Sequence, residues 1–140
     1  MAQQSISMHF KFNKPLATVF EELSDHEQFG KLCGINMKRV RDGSDTPNGL
    51  GSVRKINIGP LPPFEETITG FKENSFIEYK ITKGSPIKNH VGTLEFRESG
   101  QGCELDYVIK LESKIPFTTS LIKNVLKQGI SKGIGQYANA

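Results

Sequence analysis

Residues 6–12 read Ile-Ser-Met-His-Phe-Lys-Phe, a strict alternation that predicts a strand with Ile6, Met8, Phe10 and Phe12 facing inward. Asn13-Lys14-Pro15 then opens a helix, with Pro15 at or near its first position and Leu16, Val19, Phe20 and Leu23 as its apolar stripe. Ser24-Asp25 starts a second short helix that carries Phe29 and Leu32 and stops at Gly34. Turn signals divide the middle of the chain into strands over 36–41, 51–58, 64–71, 76–82, 88–98 and 103–111. After Lys114-Ile115-Pro116-Phe117 comes one long helix ending near Tyr137. Its residues Ile122, Leu126, Ile130 and Ile134 recur every fourth position, flanked by Val125 and Tyr137.

Gly129 and Gly133 interrupt that same buried face, each at a cost of about 1 kcal/mol relative to alanine. Glycines there thin the helix, which suits a helix closing over a sheet with space left beneath it. Substituting Gly129→Leu is therefore expected to fill that space and spare the fold. The element order is one strand, two short helices, about six strands and a long helix. Connections as short as Gly100-Gln101-Gly102 are hairpins, so the sheet is antiparallel and the class is α+β.

The 140 residues fit a single domain spanning 1–140, with 36% hydrophobic and 24% charged residues, ordinary for a globular protein. No apolar run approaches the roughly 20 residues of a membrane-spanning helix, and the N-terminus shows no signal peptide, so a cytoplasmic location is expected. The net charge of +3 comes from 14 lysines and 4 arginines against 15 acids. These basic residues are scattered, and the densest group, Lys38-Arg39-Arg41 with Arg54-Lys55, reads as a solvated strand face. No nucleic-acid partner is expected. Cys33 and Cys103 lie far apart without metal-ligand spacing and read as reduced thiols. The three histidines do not pair at ligand spacing, and metalloprotease, nucleophile-elbow, phosphate-loop and dinucleotide motifs are absent, so neither metal nor cofactor is expected.

Several local strings carry a resemblance. They are Pro15-Leu16-Ala17-Thr18-Val19-Phe20 with Leu23-Ser24-Asp25, Gly51-Ser52-Val53-Arg54 and Glu66-Thr67-Ile68-Thr69. Ser85 to Gly92, Gly102-Cys103-Glu104-Leu105 and the glycine-bearing last helix complete them. Together with the element order, they make the chain resemble the START/Bet v 1-like superfamily, in particular its bacterial polyketide cyclase/dehydrase and lipid-transport branch. The resemblance covers nearly the whole chain and specifies a fold, not a catalytic signature. It implies a helix grip: a curved seven-stranded antiparallel sheet wrapped around the C-terminal helix, with a hydrophobic cavity between. Such proteins include lipid and sterol carriers, hormone receptors, aromatase/cyclases, coenzyme-Q-binding proteins and chaperone co-factors. Tryptophan, common after the second helix in such chains, is absent; Lys31-Leu32-Cys33-Gly34 stands there.

Strand alternation assigns the cavity residues. His90, Gly92, Leu94 and Phe96 share the more apolar face of their strand, which puts an imidazole at the cavity rim with room left by Gly92. Tyr107 belongs to the inward row Cys103, Leu105, Tyr107, Ile109 and Leu111, and Tyr79 to Ile77, Tyr79 and Ile81. Glu66 lies inward between Phe64 and Ile68, and Arg54 shares a face with Ile56 and Ile58. From the last helix Leu126, Gly129, Ile130 and Gly133 complete the proposed ligand site, with Phe117 at its lip. His26, between Asp25 and Glu27, and His9 read as surface residues.

An apolar box with a few convergent polar groups is the usual make-up of a small-molecule site. The leading expectation is a carrier or sensor of a small hydrophobic, lipid- or polyketide-like ligand, acting as monomer or homodimer. The second is a cyclase/dehydratase-like enzyme with His90, Tyr107 and Glu66 as candidate catalytic acids and bases. The third is a protein-interaction module of the chaperone-co-factor kind, which expects a small or filled cavity.

Overall fold

A computed structural model describes residues 3–59, 61–85, 87–113 and 116–140, with backbone only at 113 and 116–119. The elements run β1 (Gln4–Phe12), α1 (Leu16–Ser24), α2 (His26–Cys33), β2 (Asn36–Arg41), β3 (Val53–Asn57), β4 (Phe64–Lys72), β5 (Phe76–Lys83), β6 (Ile87–Ser99), β7 (Gly102–Ser113) and α3 (Pro116–Ala138). The seven strands form one antiparallel sheet in the order β1-β7-β6-β5-β4-β3-β2, so the first strand of the chain closes against the last. Every other neighbouring pair is consecutive in sequence, with connections that range from the two residues between β6 and β7 to residues 42–52 between β2 and β3.

The two short helices owe their break to one residue. Asp25 ends α1 in an extended conformation, and its carboxylate accepts from the Glu27 and Gln28 N–H groups as the N-cap of α2. That reversal aims the first residue of α2 inward. His26 is consequently 1% exposed, not a surface residue as its charged neighbours suggest. Its Nε2 lies 2.8 Å from Ser52 Oγ, and burial, with help from Arg54 and Arg39, lowers its pKa to about 3. It is a neutral strut between α2 and the start of β3. His9 does lie on the outer face, between Asp106 and Glu104.

Gly34 ends α2 in the left-handed region at φ 68°, its N–H returning to Gly30 and Lys31 carbonyls. Here α3 crosses α2, and the crossing explains the two helix glycines. A Cβ on Gly129 would stand 2.8 Å from the Cys33 carbonyl oxygen, and one on Gly133 would fall on the Leu32 carbonyl. These glycines admit the backbone of α2; they do not leave room for a ligand. Gly129→Leu would thus wedge two helices apart and cannot serve as a cavity-filling change.

The buried faces of the strands follow the expected alternation, with Ile6 and Phe12 of β1, Arg54, Ile56 and Ile58, Phe64, Glu66 and Ile68, and the whole row from Cys103 to Leu111 inside. From α3, Ile122, Ile130 and Ile134 are buried and Leu126 is half-buried, whereas Val125 is exposed. One departure matters for the site. A bulge between Lys88 and Val91, with Asn89 at φ 47°, turns both Ile87 and His90 inward although they are three positions apart. Among the described residues no helix is long and apolar enough to cross a membrane.

Candidate functional site

Between α3 and the concave face of the sheet lies a cavity with apolar walls and a polar floor. Ile56, Ile58, Phe64 and Leu111 of the sheet and Ile122, Leu126 and Ile130 of α3 form much of the wall. Arg54, Glu66, Tyr79, His90 and Tyr107 supply its polar groups, each from a different strand, β3 to β7. As it stands, the cavity leaves about 20 Å³ for the centre of a water-sized sphere, room for about one water. Met37, Ile81 and Leu126 are its half-exposed lining residues and mark its mouth.

Arg54 and Glu66 face each other across the β3–β4 ladder. Nε and Nη2 of the guanidinium both lie 2.8 Å from Glu66 Oε1, and both side chains are buried. The flat guanidinium is also held between two rings, 4.4 Å from the centroid of Tyr79 and 5.5 Å from that of Phe29. Burial is the largest single influence and works against its charge, but the Glu66 carboxylate, through its charge and its hydrogen bonding, and the neighbouring tyrosines together outweigh it and raise the Arg54 pKa. The site therefore holds a fixed cation with its counter-ion alongside.

His90 is placed by a gap in the sheet. The β5–β6 ladder ends at the Tyr79–Gly92 pair, and just beyond it the Ile81 N–H donates to His90 Nδ1 at 3.2 Å in place of a backbone carbonyl. With Nδ1 an acceptor, the neutral ring carries its proton on Nε2, 3.6 Å from Glu66 Oε2. That separation allows attraction but is too long for a hydrogen bond. Burial lowers the His90 pKa, opposed by Glu66 and assisted by Arg54, so the ring stays neutral near pH 7. Its basic lone pair is already engaged.

The hydroxyls of Tyr79 and Tyr107 hydrogen-bond to each other in the core. Burial raises both phenol pKa values, so both are O–H donors and not phenolates. Two hydroxyls sharing one bond leave one O–H free to donate elsewhere. Arg54 likewise directs two of its five N–H groups at a single oxygen, Glu66 Oε1. The floor has donors to spare and suits an incoming oxygen acceptor.

Gly92 lines this arrangement indirectly. A Cβ there would coincide with the phenol end of Tyr79, so the glycine exists to seat that ring. We expect Gly92→Ala to displace the phenol, separate it from Tyr107 and cost about 1–3 kcal/mol of stability. Urea unfolding would show this, and the penalty should shrink when Tyr79 is first shortened to leucine; an undiminished penalty would mean that something other than the ring is displaced.

Of the ligand-site residues expected from the sequence, the structure brings Arg54, Glu66, Tyr79, His90, Tyr107, Leu126 and Ile130 to one cavity. Gly92, Gly129 and Gly133 do not line it, and the Phe117 side chain lies outside the described residues. Sequence reasoning left Phe29 in a helix stripe without a site role, although it stacks on Arg54. Its inward position on α2 was legible; its neighbour was not. Cys33 and Cys103 are free and buried, and burial pushes the Cys33 thiol up to about 12. Among the described residues no cluster of metal-ligating side chains occurs.

A seven-stranded antiparallel sheet gripping a C-terminal helix over an internal cavity defines the START/Bet v 1-like class. The chain belongs to the polyketide cyclase / dehydrase and lipid transport family, whose sequence profile matches residues 3–139. No curated protein sequence matches it. Among solved structures, Ara h 8.0201 superposes with a TM-score of 0.70 at 18% identity, covering 98% of this chain and 98% of its own. Protein Ms6760 from Mycobacterium smegmatis gives 0.66 at 16% identity, covering 96% and 88%. Norcoclaurine synthase from Thalictrum flavum, in complex with dopamine and hydroxybenzaldehyde, gives 0.64 at 11% identity, covering 96% and 88%. At these identities the likeness is one of fold.

Proposed function

We propose that this protein binds a small, largely hydrophobic ligand, lipid- or polyketide-like, with an oxygen-bearing end seated on the polar floor. The observation that carries this reading is the set of spare donors, on Arg54 and the Tyr79–Tyr107 pair, in the polar floor of a cavity whose walls are apolar. Donors left free in a mostly apolar pocket are costly unless a ligand or a water accepts from them. Space for about one water means that a ligand enters only as the walls of the cavity move outward. A small cavity is also what a partner-binding module would have, but such a module has no use for an internal donor floor.

Catalysis is the second reading, favoured by the spare phenol proton beside a fixed cation, which could polarise a carbonyl. His90 is ill-placed as its base, since Nδ1 accepts from Ile81 and Nε2–H points toward Glu66. Titration with the uncharged fluorescent probe phenylnaphthylamine tests the binding reading. We expect saturable uptake by the wild-type protein and a loss of about ten-fold or more in affinity when Leu126→Trp plugs the mouth. Uptake unaffected by this substitution would place the probe elsewhere and remove support from the cavity.

A further inference from the structure

The cavity floor holds two charges that cancel. Of the chain's 18 lysines and arginines, Arg54 alone lines the cavity among the described residues, and of its 15 acids Glu66 alone does so. Their pairing is closed, since Arg54 Nε and Nη2 both lie 2.8 Å from Glu66 Oε1 with both side chains buried. Tyr79 and Tyr107 are uncharged phenols, because burial raises both pKa values. That leaves His90 as the group able to meet an incoming anion with a new positive charge. It would have to take a proton on Nδ1, and that lone pair already accepts from the Ile81 N–H at 3.2 Å. Protonation breaks this bond and places a second cation in the floor. Burial opposes that step and Arg54 opposes it further, against the pull of Glu66.

We propose that this floor selects ligands ending in a neutral carbonyl, as in an ester or ketone, and rejects carboxylates, with Glu66 as the residue that sets the choice. The inference rests on the ligand-binding reading and narrows it. A carbonyl oxygen accepts from the spare Arg54 and phenol donors without adding charge. A carboxylate reaching the same donors is a third buried charge, beside an arginine whose counter-ion is already in place. A pocket built for anions would present the opposite arrangement, a guanidinium left open or lysines around it.

The test is displacement of phenylnaphthylamine from the full chain by methyl undecanoate and by undecanoate, at about pH 8, where the acid is ionised. The two compounds differ in the charge of the head and share the same chain. The wild-type protein should bind the ester about ten-fold or more tightly than the acid. In Glu66→Gln the amide keeps an oxygen for Arg54 but leaves the guanidinium without a counter-ion. Undecanoate should then become the tighter ligand, and it should raise the Tm of this variant while leaving that of the wild type unchanged. The wild-type comparison stands by itself if the substitution prevents folding. Equal or tighter binding of undecanoate by the wild type, or an ester preference that persists in folded Glu66→Gln, overturns the charge selection and leaves the ligand-binding reading in place. Failure of the wild type to take up the probe or either compound overturns both.

Discussion

Gly133→Ala destabilises the protein by about 3 kcal/mol or more, although alanine is the better helix former by about 1 kcal/mol. The cause is the crossing of α2 and α3. A methyl group on Gly133 would overlap the Leu32 carbonyl and stand 2.8 Å from Cys33 Cα, and its neighbour Gly129 is nearly as close to the Cys33 carbonyl. Backbone cannot swing aside as a flexible side chain can, so α2 as a whole must shift. That helix carries Phe29, one of the rings enclosing Arg54, so the damage reaches the site. Gly135 supplies the control, because nothing lies within 4 Å of the position its Cβ would take. Gly135→Ala should stabilise by up to about 1 kcal/mol through helix propensity. Urea midpoints measured side by side should move in opposite directions; matching shifts would contradict the crossing as the cause.

Removing Glu66 has the other large effect. Glu66→Ala leaves the Arg54 guanidinium buried without its counter-ion, a situation that costs about 3–5 kcal/mol. Arg54→Met leaves the carboxylate buried and unpaired and should cost a similar amount. The pair replaced together by apolar residues should lose much less than the sum of the single losses, since desolvated charge then vanishes from both sides. The double variant, folded but without its cation, also separates stability from recognition. It should keep apolar probe binding and lose preference for ligands bearing a carbonyl over matched hydrocarbons. Additive single losses would show that the two charges do not depend on each other.

Most of this architecture was legible because period-two alternation survives wherever one sheet face is buried. The rows His90–Phe96 and Cys103–Leu111 placed an imidazole and a phenol inside from sequence alone, and opposed parity placed Arg54 and Glu66 beside them. Three features were missed, each for a physical reason. His26 looked solvated between two acids, yet Asp25 is consumed as an N-cap and the chain reversal carries the next residue inward. The signal was present, since an Asp between two helical stripes predicts a change of direction. Gly129 and Gly133 share the angular sector of the buried face, and periodicity cannot tell a helix facing a void from one facing another backbone. The Asn89 bulge shifts the inward register at the end of β6, and no pattern in the sequence marks the residue that takes the left-handed conformation.

The contacts inside the site were beyond the sequence as well. Alternation gives a face and not a distance, so it could not show that His90 Nδ1 is occupied by the Ile81 N–H, or that the two tyrosines bond to each other. Those two facts decide which groups remain free to meet a ligand. They move the weight from His90 toward Arg54 and the phenols.

Native mass spectrometry of the purified protein, followed by solvent extraction, tests the central claim most directly. A single apolar, oxygen-bearing compound bound one per chain, and absent from the Leu126→Trp variant, is the result expected. A bare chain mass that persists after incubation with apolar ketones, phenols and fatty acids would contradict ligand binding in this cavity.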